Sequence, residues 1–593
     1  MANSSAVHYD ISVKDAHAHL WQITLTIAKP AKNQTVSLPV WIPGSYMVRE
    51  FSKHLQNLQA SQNGKAMVPQ QRDKCTWQLA NSASKPLAMS YEVYAFDNSV
   101  RTAWLTAQRA FFNPTSLCLK VHGLEVKPHT LALNTINSIA LCAVSTPATL
   151  LKSLKKPPAG QLGEYVFADY DEMADTPFEI GDFWRGSFTV RGIEHEFVVS
   201  GASASFDGKR LLADTQKIVE AEMQFWHGSS GKPPFDRYVF MLNVVDEGYG
   251  GLEHRNSTAL ICSRRDLPRV GQAKQTEGYT TLLGLISHEY FHTWNVKRLK
   301  PQEFVHYDYT QENYTQMLWF FEGFTSYYDD LILRRAGLID NAQYLRLLSK
   351  AINQVQQTPG RQVQSVAQAS MDAWVKYYRQ DENTPNATVS YYTKGSLVGL
   401  CFDLTLRREG QGNLDDVMRW LFKHSKAAKK GQGGITEADF AKALQAIGGR
   451  SYAKEIAAWV HGTHDLPLVE LLQAHGVNIT PEPATSLPMA QRLGLRVSES
   501  SGALMIKTVL RGGLAEGAGF AASDEWMAVG DWRIHKLEDL ALLAGNAKQI
   551  TATISRDKRL LRLKLPMPQA TQAPSSFMLR TGKDEPLSQW LLG

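Results

Sequence analysis

Cysteine is scarce in this chain. The five residues, Cys75, Cys118, Cys142, Cys262 and Cys401, are scattered over 593 positions. Their odd number and spacing exclude a disulfide framework, and the lack of any CxxC pair excludes a thiolate zinc site. Charge of one sign is lacking too, since 63 lysines and arginines face 57 acidic residues, an excess of 6. So small an excess excludes a strongly electrostatic nucleic-acid binder and gives no basis for adhesion to an anionic membrane. The longest uncharged run, His129 to Leu151, contains Asn134, Thr135, Asn137, Ser138 and Pro147, which makes it too polar to span a bilayer. The opening MANSSAVHYD has no basic region followed by an apolar core. A cytoplasmic protein is therefore expected, or a periplasmic one if a leader was removed. There is also no repeat of 20–50 residues, which argues against a solenoid or propeller.

What is present is the composition of a folded globular protein: 44% hydrophobic, 20% charged and 10% aromatic. The length suits about four domains. Residues 1–185 read as an N-terminal β-sandwich. In WQITLTIA, Ile23, Leu25 and Ile27 alternate with Gln22, Thr24 and Thr26, the period of a half-buried strand. VSLPVW, MSYEVYA and SLCLKV repeat the pattern between turn-forming clusters. Residues 186–477 read as an α+β unit. A short β stretch is followed by helices with stripes at Val219, Met223 and Trp226, and at Tyr344, Leu348, Ile352 and Val355. Thr436 and Asp439 form a capping arrangement, and Gly448 is expected to end the helix that follows. Residues 478–488, proline-rich, read as a linker, 489–567 as a small domain of short strands, and 568–593 as a tail, loose in part, in which Trp590, Leu591 and Leu592 could dock. The basic run KAAKKG at Lys426 to Lys430 reads as a solvated loop.

The chemistry concentrates in HEYFH, His288 to His292. Upstream, TTLLGLIS predicts a buried helix, so the two histidines stand one turn apart on one face and can converge on one metal ion. Glu289, one step round, can reach an activated water without ligating the ion. Zinc suits borderline nitrogen donors and an open coordination position. A catalytic site needs a third protein ligand. WFFEGFTSYYDD offers Glu322, a carboxylate set among aromatics where a solvated face is not expected, with Gly323 allowing close approach. GYGGLEH lies between the strand-like YVFMLNVV and STALICS. This places Gly250, Gly251 and Glu253 on an edge strand lining a cleft, the glycines admitting a substrate backbone and Glu253 accepting its α-ammonium group.

HEYFHTWNVKRLKP, WFFEGFTSYYDD, GGLEH (Gly250 to His254), YYTKGS and, further upstream, LPVWIPGSYMVREFS together resemble the glycyl aminopeptidase family of zinc metallopeptidases, gluzincins with a thermolysin-like catalytic domain and a C-terminal PDZ domain. The resemblance covers nearly the whole chain. It implies one Zn2+ per chain held by His288, His292 and Glu322, with Glu289 as general base. It also implies an oxyanion-stabilising tyrosine at Tyr392, with Tyr391 as the alternative. GGLEH is similar to the Gly-x-Met-Glu-Asn motif of the alanyl aminopeptidases, with His254 in place of the asparagine. LGLRVSESSGALMIKTVLRGGLAEGAGF resembles a PDZ domain whose carboxylate loop is Leu493, Gly494 and Leu495, able to hold a C-terminal peptide.

The expected architecture is thus multidomain α+β: an N-terminal β-sandwich, a thermolysin-like zinc peptidase domain and a C-terminal PDZ domain. The expected activity is zinc-dependent removal of N-terminal residues, small ones by resemblance, from peptides with a free amino terminus. Two alternatives stand beside it, a thermolysin-type endopeptidase and a PDZ-bearing scaffold with an inactive peptidase fold.

Overall fold

The computed structural model describes residues 6–83, 85–134, 143–150, 161–425, 433–483, 486–500, 502–569 and 576–593; the run at Lys426 to Lys430 lies outside them. The chain divides into two compact units. The first comprises residues 1–314, 336–338 and 426–434, and the second residues 315–335, 339–425 and 435–593.

In the first unit the N-terminal region is mainly β, with one short helix at Tyr170–Ala174. Its largest sheet has eight strands, with Val7–Asp15 near the centre, parallel to His129–Asn134 on one side and antiparallel to Leu20–Ile27 on the other. The expected alternation is present in Leu20–Ile27. Trp21, Ile23, Leu25 and Ile27 are buried, while Gln22, Thr24 and Thr26 are half-buried. Two smaller four-stranded sheets complete the β region. Two expected strands are much shorter than their apolar runs. Of VSLPVW only Val36 and Ser37 are in a strand, Thr35–Ser37, because Pro39 has no N–H to give to a ladder. Of SLCLKV only Lys120–Val121 is extended; Pro114–Ser116 makes a 3-10 turn and Leu117, Cys118 and Leu119 are buried without pairing. Fully buried apolar runs do not by themselves distinguish strand from irregular chain.

The first unit also holds a five-stranded mixed sheet in the order Trp184–Val190, Ile193–Ser200, Arg237–Val245, Ser257–Ser263, Tyr249–Glu253. The three central strands are parallel and the two edges antiparallel. Tyr249–Glu253 is therefore an edge strand, paired on one side only. The helix Gly208–His227 buries Val219, Met223 and Trp226 on its expected stripe. The helix Glu277–Phe291 is apolar around most of its circumference, and Thr276 caps it by accepting from the Tyr279 amide at 3.1 Å.

The second unit is helical up to about residue 474. Asn341–Gln356 buries Tyr344, Leu348, Ile352 and Val355. Thr436 and Asp439 form the expected capping box on Glu437–Gly448. Gly448 is the last residue of that helix, as expected. Gly449 takes the left-handed cap at φ 72, and Gly448 has no side chain because the Tyr452 ring occupies the space one would need. The linker residues 478–481 are in a strand, Val477–Pro481, paired antiparallel with Phe577–Thr581. The tail then continues into the helix Asp584–Leu592. Trp590 and Leu591 dock, with Trp590 Nε1 donating to the Tyr327 hydroxyl at 3.1 Å, while Leu592 is exposed.

Between these pairing strands, residues 495–566 build a separate sheet in the order Leu495–Ser500, Ala503–Val509, Glu525–Val529, Gln549–Arg556, Arg559–Pro566. It has its own core around Ile506, Trp526, Leu540 and Ile554. Leu493 ends a short helix, Gly494 turns the chain at φ 73, and Leu495 starts the outermost strand. Among the described residues, no helix is long and apolar enough to cross a membrane.

Candidate active site

Each unit carries one group of the residues singled out from the sequence. In the first unit, His288 lies in the last turn of Glu277–Phe291 and His292 is its C-cap. Their rings stand 4.7 Å apart and nearly perpendicular. The Nδ1–H of His292 donates to the Asn295 carbonyl at 2.8 Å. This fixes the tautomer whose Nε2 carries the lone pair, the arrangement that outer hydrogen bonds give to metal-binding histidines. The chain leaves the helix through Val296 at φ 128, a conformation costly for a β-branched residue, and the Lys297 amide then donates back to the His292 carbonyl at 3.1 Å.

Glu289 and Glu253 are both buried, and with His292 they form one cluster whose ligand atoms all lie within 4.8 Å of one another. Gly251 is the reason Glu289 fits, because a β-carbon there would collide with the Glu289 carboxylate. Gly250 has φ 152, where a side chain is strained. Gly251 thus makes room for the protein's own carboxylate.

Glu253 is held from two sides. Gly44, at φ 93 in the loop WIPGSY, is so close that an added β-carbon would stand 2.5–2.7 Å from the Glu253 carboxylate. Lys297 Nζ lies 4.0 Å from Oε1 of Glu253 and 3.0 Å from Asp175, which also accepts from His254 Nδ1 at 3.1 Å and from the Arg255 amide at 3.0 Å. Burial opposes the charge on Lys297, but Asp175 and Glu253 outweigh it and the net shift is upward. Burial likewise opposes ionisation of Asp175; Lys297 and His254 prevail and hold it far below the usual carboxylate range. His254, which stands where the alanyl enzymes have asparagine, is therefore a buried partner of Asp175. Asp175 and Lys297 were not legible as site residues. Only the lysine's position five residues beyond HEYFH hints at a role.

In the second unit, Glu322 lies between the short helix Leu318–Phe321 and the helix Gly323–Arg335 and is buried, as its aromatic setting implied. Gly323 packs on Gly395 of the helix Thr393–Glu409. A β-carbon on Gly323 would stand 2.6 Å from the Gly395 Cα, and one on Gly395 would stand 2.7 Å from the Trp319 carbonyl. WFFEGF and YYTKGS thus share one reason for their glycines, which is the close crossing of the two helices. At the start of the second helix stands Tyr392. Its hydroxyl is 3.0 Å from that of Tyr378, and its ring stacks on Tyr391 at 4.7 Å. Burial, then the charge of Glu322 and the neighbouring tyrosines, push the Tyr392 phenol well above its ordinary pKa, so it stays a proton-bearing donor. Tyr391 is fully buried whereas Tyr392 is partly exposed. Tyr378 was missed from sequence. It follows a turn of π-helix, Ala373–Tyr377, a local irregularity that hydropathy does not signal.

Two sequence profiles match the chain. That of the M61 glycyl aminopeptidases matches residues 281–398, and that of the M61 N-terminal domain matches residues 8–182. A crystal structure of an aminopeptidase N family protein from Idiomarina loihiensis aligns at 36% identity and a TM-score of 0.92, covering 99% of this chain and 100% of that one. The chain belongs to the M61 glycyl aminopeptidase family. This membership assigns the chain to the peptidases, and the M61 N-terminal match falls on the β region. Two more distant structures also align. An M1 zinc metallopeptidase from Deinococcus radiodurans does so at 11% identity and a TM-score of 0.48 over 78% of this chain and 94% of that one. Aminopeptidase A from Legionella pneumophila does so at 13% identity and 0.49 over 77% and 49%. No curated protein matches.

Proposed function

We propose that this M61 protein is a zinc-dependent aminopeptidase that removes small N-terminal residues from peptides with a free amino terminus. His288, His292 and Glu322 would hold one zinc ion per chain. Two imidazoles and a carboxylate are a donor set able to hold a metal and suited to zinc, and the tautomer fixed at His292 fits that role. Zinc held there supplies Lewis acidity and makes hydroxide available near neutral pH. Glu289 takes the proton from the attacking water and passes it to the leaving amine. Tyr392 donates its phenolic hydrogen to the oxygen that gains charge during attack, an interaction of the kind worth about 2.7–4 kcal/mol. Glu253 accepts the substrate α-ammonium, and Gly250 and Gly251 line the path of its backbone.

The observation that carries the exopeptidase reading is the burial of Glu253 against the WIPGSY loop. Gly44 lies against that carboxylate, which supports a cleft closed at the amine-binding end rather than the open one an endopeptidase would require. The preference for small residues rests on the family's glycyl name alone. We further read residues 489–567 as a PDZ domain with Leu493, Gly494 and Leu495 as its carboxylate loop, supported by the outermost strand Leu495–Ser500 that follows the Gly494 turn. A matched pair of peptides, one with a free and one with an acetylated amino terminus, tests the activity. Cleavage of only the free peptide is expected. Equal cleavage of both would remove the aminopeptidase reading, and no cleavage by zinc-replete protein would favour the scaffold.

A further inference from the structure

Arg101 lies in the loop between the strands Leu87–Tyr94 and Ala103–Leu105 of the N-terminal β region, yet its guanidinium reaches the edge strand that carries Glu253. Its Nη2 donates to the Gly251 carbonyl at 2.9 Å, and Nη1 lies 3.6 Å from where a β-carbon of Gly250 would stand. Its neighbours are packed. Val100 beside it and Ile42, two residues before Gly44, pack in one buried cluster with Leu252, the residue between Gly251 and Glu253. The loop bearing Arg101 and the loop that closes over Glu253 are therefore clamped to the same strand.

The charge of Arg101 is unanswered. Nε is buried without an acceptor, and among the described residues no carboxylate ion-pairs with the guanidinium. A half-buried guanidinium with idle donors is an unpaid desolvation cost, and its planar fork is suited to a carboxylate.

We propose that Arg101 reads the C-terminal carboxylate of di- and tripeptides bound along the edge strand, which makes short peptides the preferred substrates. This rests on Glu253 accepting the substrate amine. From Glu253 to Gly251 is two residues of extended strand, roughly 6.6 Å. A bound chain can span at most about 7 Å with two residues and about 10 Å with three. A peptide whose amine is at Glu253 thus brings its carboxylate to Arg101 after two or three residues.

The test compares Ala-Ala with its C-terminal amide on the zinc-loaded full chain, reading the ratio of kcat/KM for acid over amide. In the parent the acid is expected to be favoured by about tenfold to a hundredfold, the range for a charge-assisted hydrogen bond. Arg101→Met should bring the ratio close to one, and Arg101→Lys, which keeps a cation but not the fork, should leave it intermediate. A parent ratio near one would overturn the proposal while leaving the aminopeptidase reading standing, as would an Arg101→Met variant that keeps the parent ratio. If the parent cleaves neither substrate, both readings fall. The parent ratio decides the matter without a variant, so a substitution that fails to fold does not rescue the idea.

Discussion

The two groups of candidate site residues are built from different materials. The first unit's group is one of buried charge, with Glu289 and Glu253 clustered about His292 and Lys297 set between Glu253 and Asp175. In the second, one carboxylate, Glu322, is set among aromatic rings, and the polar group near it is the neutral phenol of Tyr392. The first arrangement stores large opposed electrostatic terms, so removing one member strands another. The second is held by packing and one hydroxyl–hydroxyl contact, so its losses should be graded.

Substitutions can break or sharpen that contrast. The largest effect is expected for Glu289→Gln, with kcat/KM falling by about 10²–10⁴, the contribution of a positioned general base, while metal content stays at the parent level. Peptide hydrolysis measured beside metal analysis checks this; turnover at the parent rate would remove the general-base role. Next comes Lys297→Met, which leaves Asp175 as a buried charge without its strongest counterion. A stability loss of about 3–5 kcal/mol is expected from denaturant unfolding, and Asp175→Asn added to it should recover much of the loss. The pH dependence has a definite sign. Asp175 is depressed in the folded state, so its stabilisation is present above its unfolded pKa of about 3.9 and is lost as pH falls toward the folded value. Smaller is the loss in the aromatic group. Tyr392→Phe should lower kcat by about 10²–10³ with little change in KM, and Tyr378→Phe should lower it less. A pure KM effect of Tyr392→Phe would count against an oxyanion role.

The same contrast explains what could be read from the sequence. His288, Glu289 and His292 are neighbours along one helix, and helical periodicity alone turns their spacing into geometry. Gly250, Gly251 and Glu253 share one strand, so their edge placement followed from the flanking apolar runs. Asp175 meets Lys297 across more than a hundred residues, and Tyr378 meets Tyr392 only because a π-turn redirects the chain. No local pattern encodes such meetings. The alternation in Leu20–Ile27 was legible because one face is buried, whereas the buried run before Lys120 read as a longer strand than it forms. The role of Gly251 emerged only from the side chain it accommodates, Glu289.

The account depends above all on His288, His292 and Glu322 sharing one metal ion. Zinc content per chain, measured for the parent and for Glu322→Ala after dialysis against a weak chelator, tests this most directly. The parent should retain about one zinc per chain, held by three protein ligands with the fourth position open, and the variant should lose it. A Glu322→Ala protein that keeps its zinc at the parent stoichiometry would contradict the account.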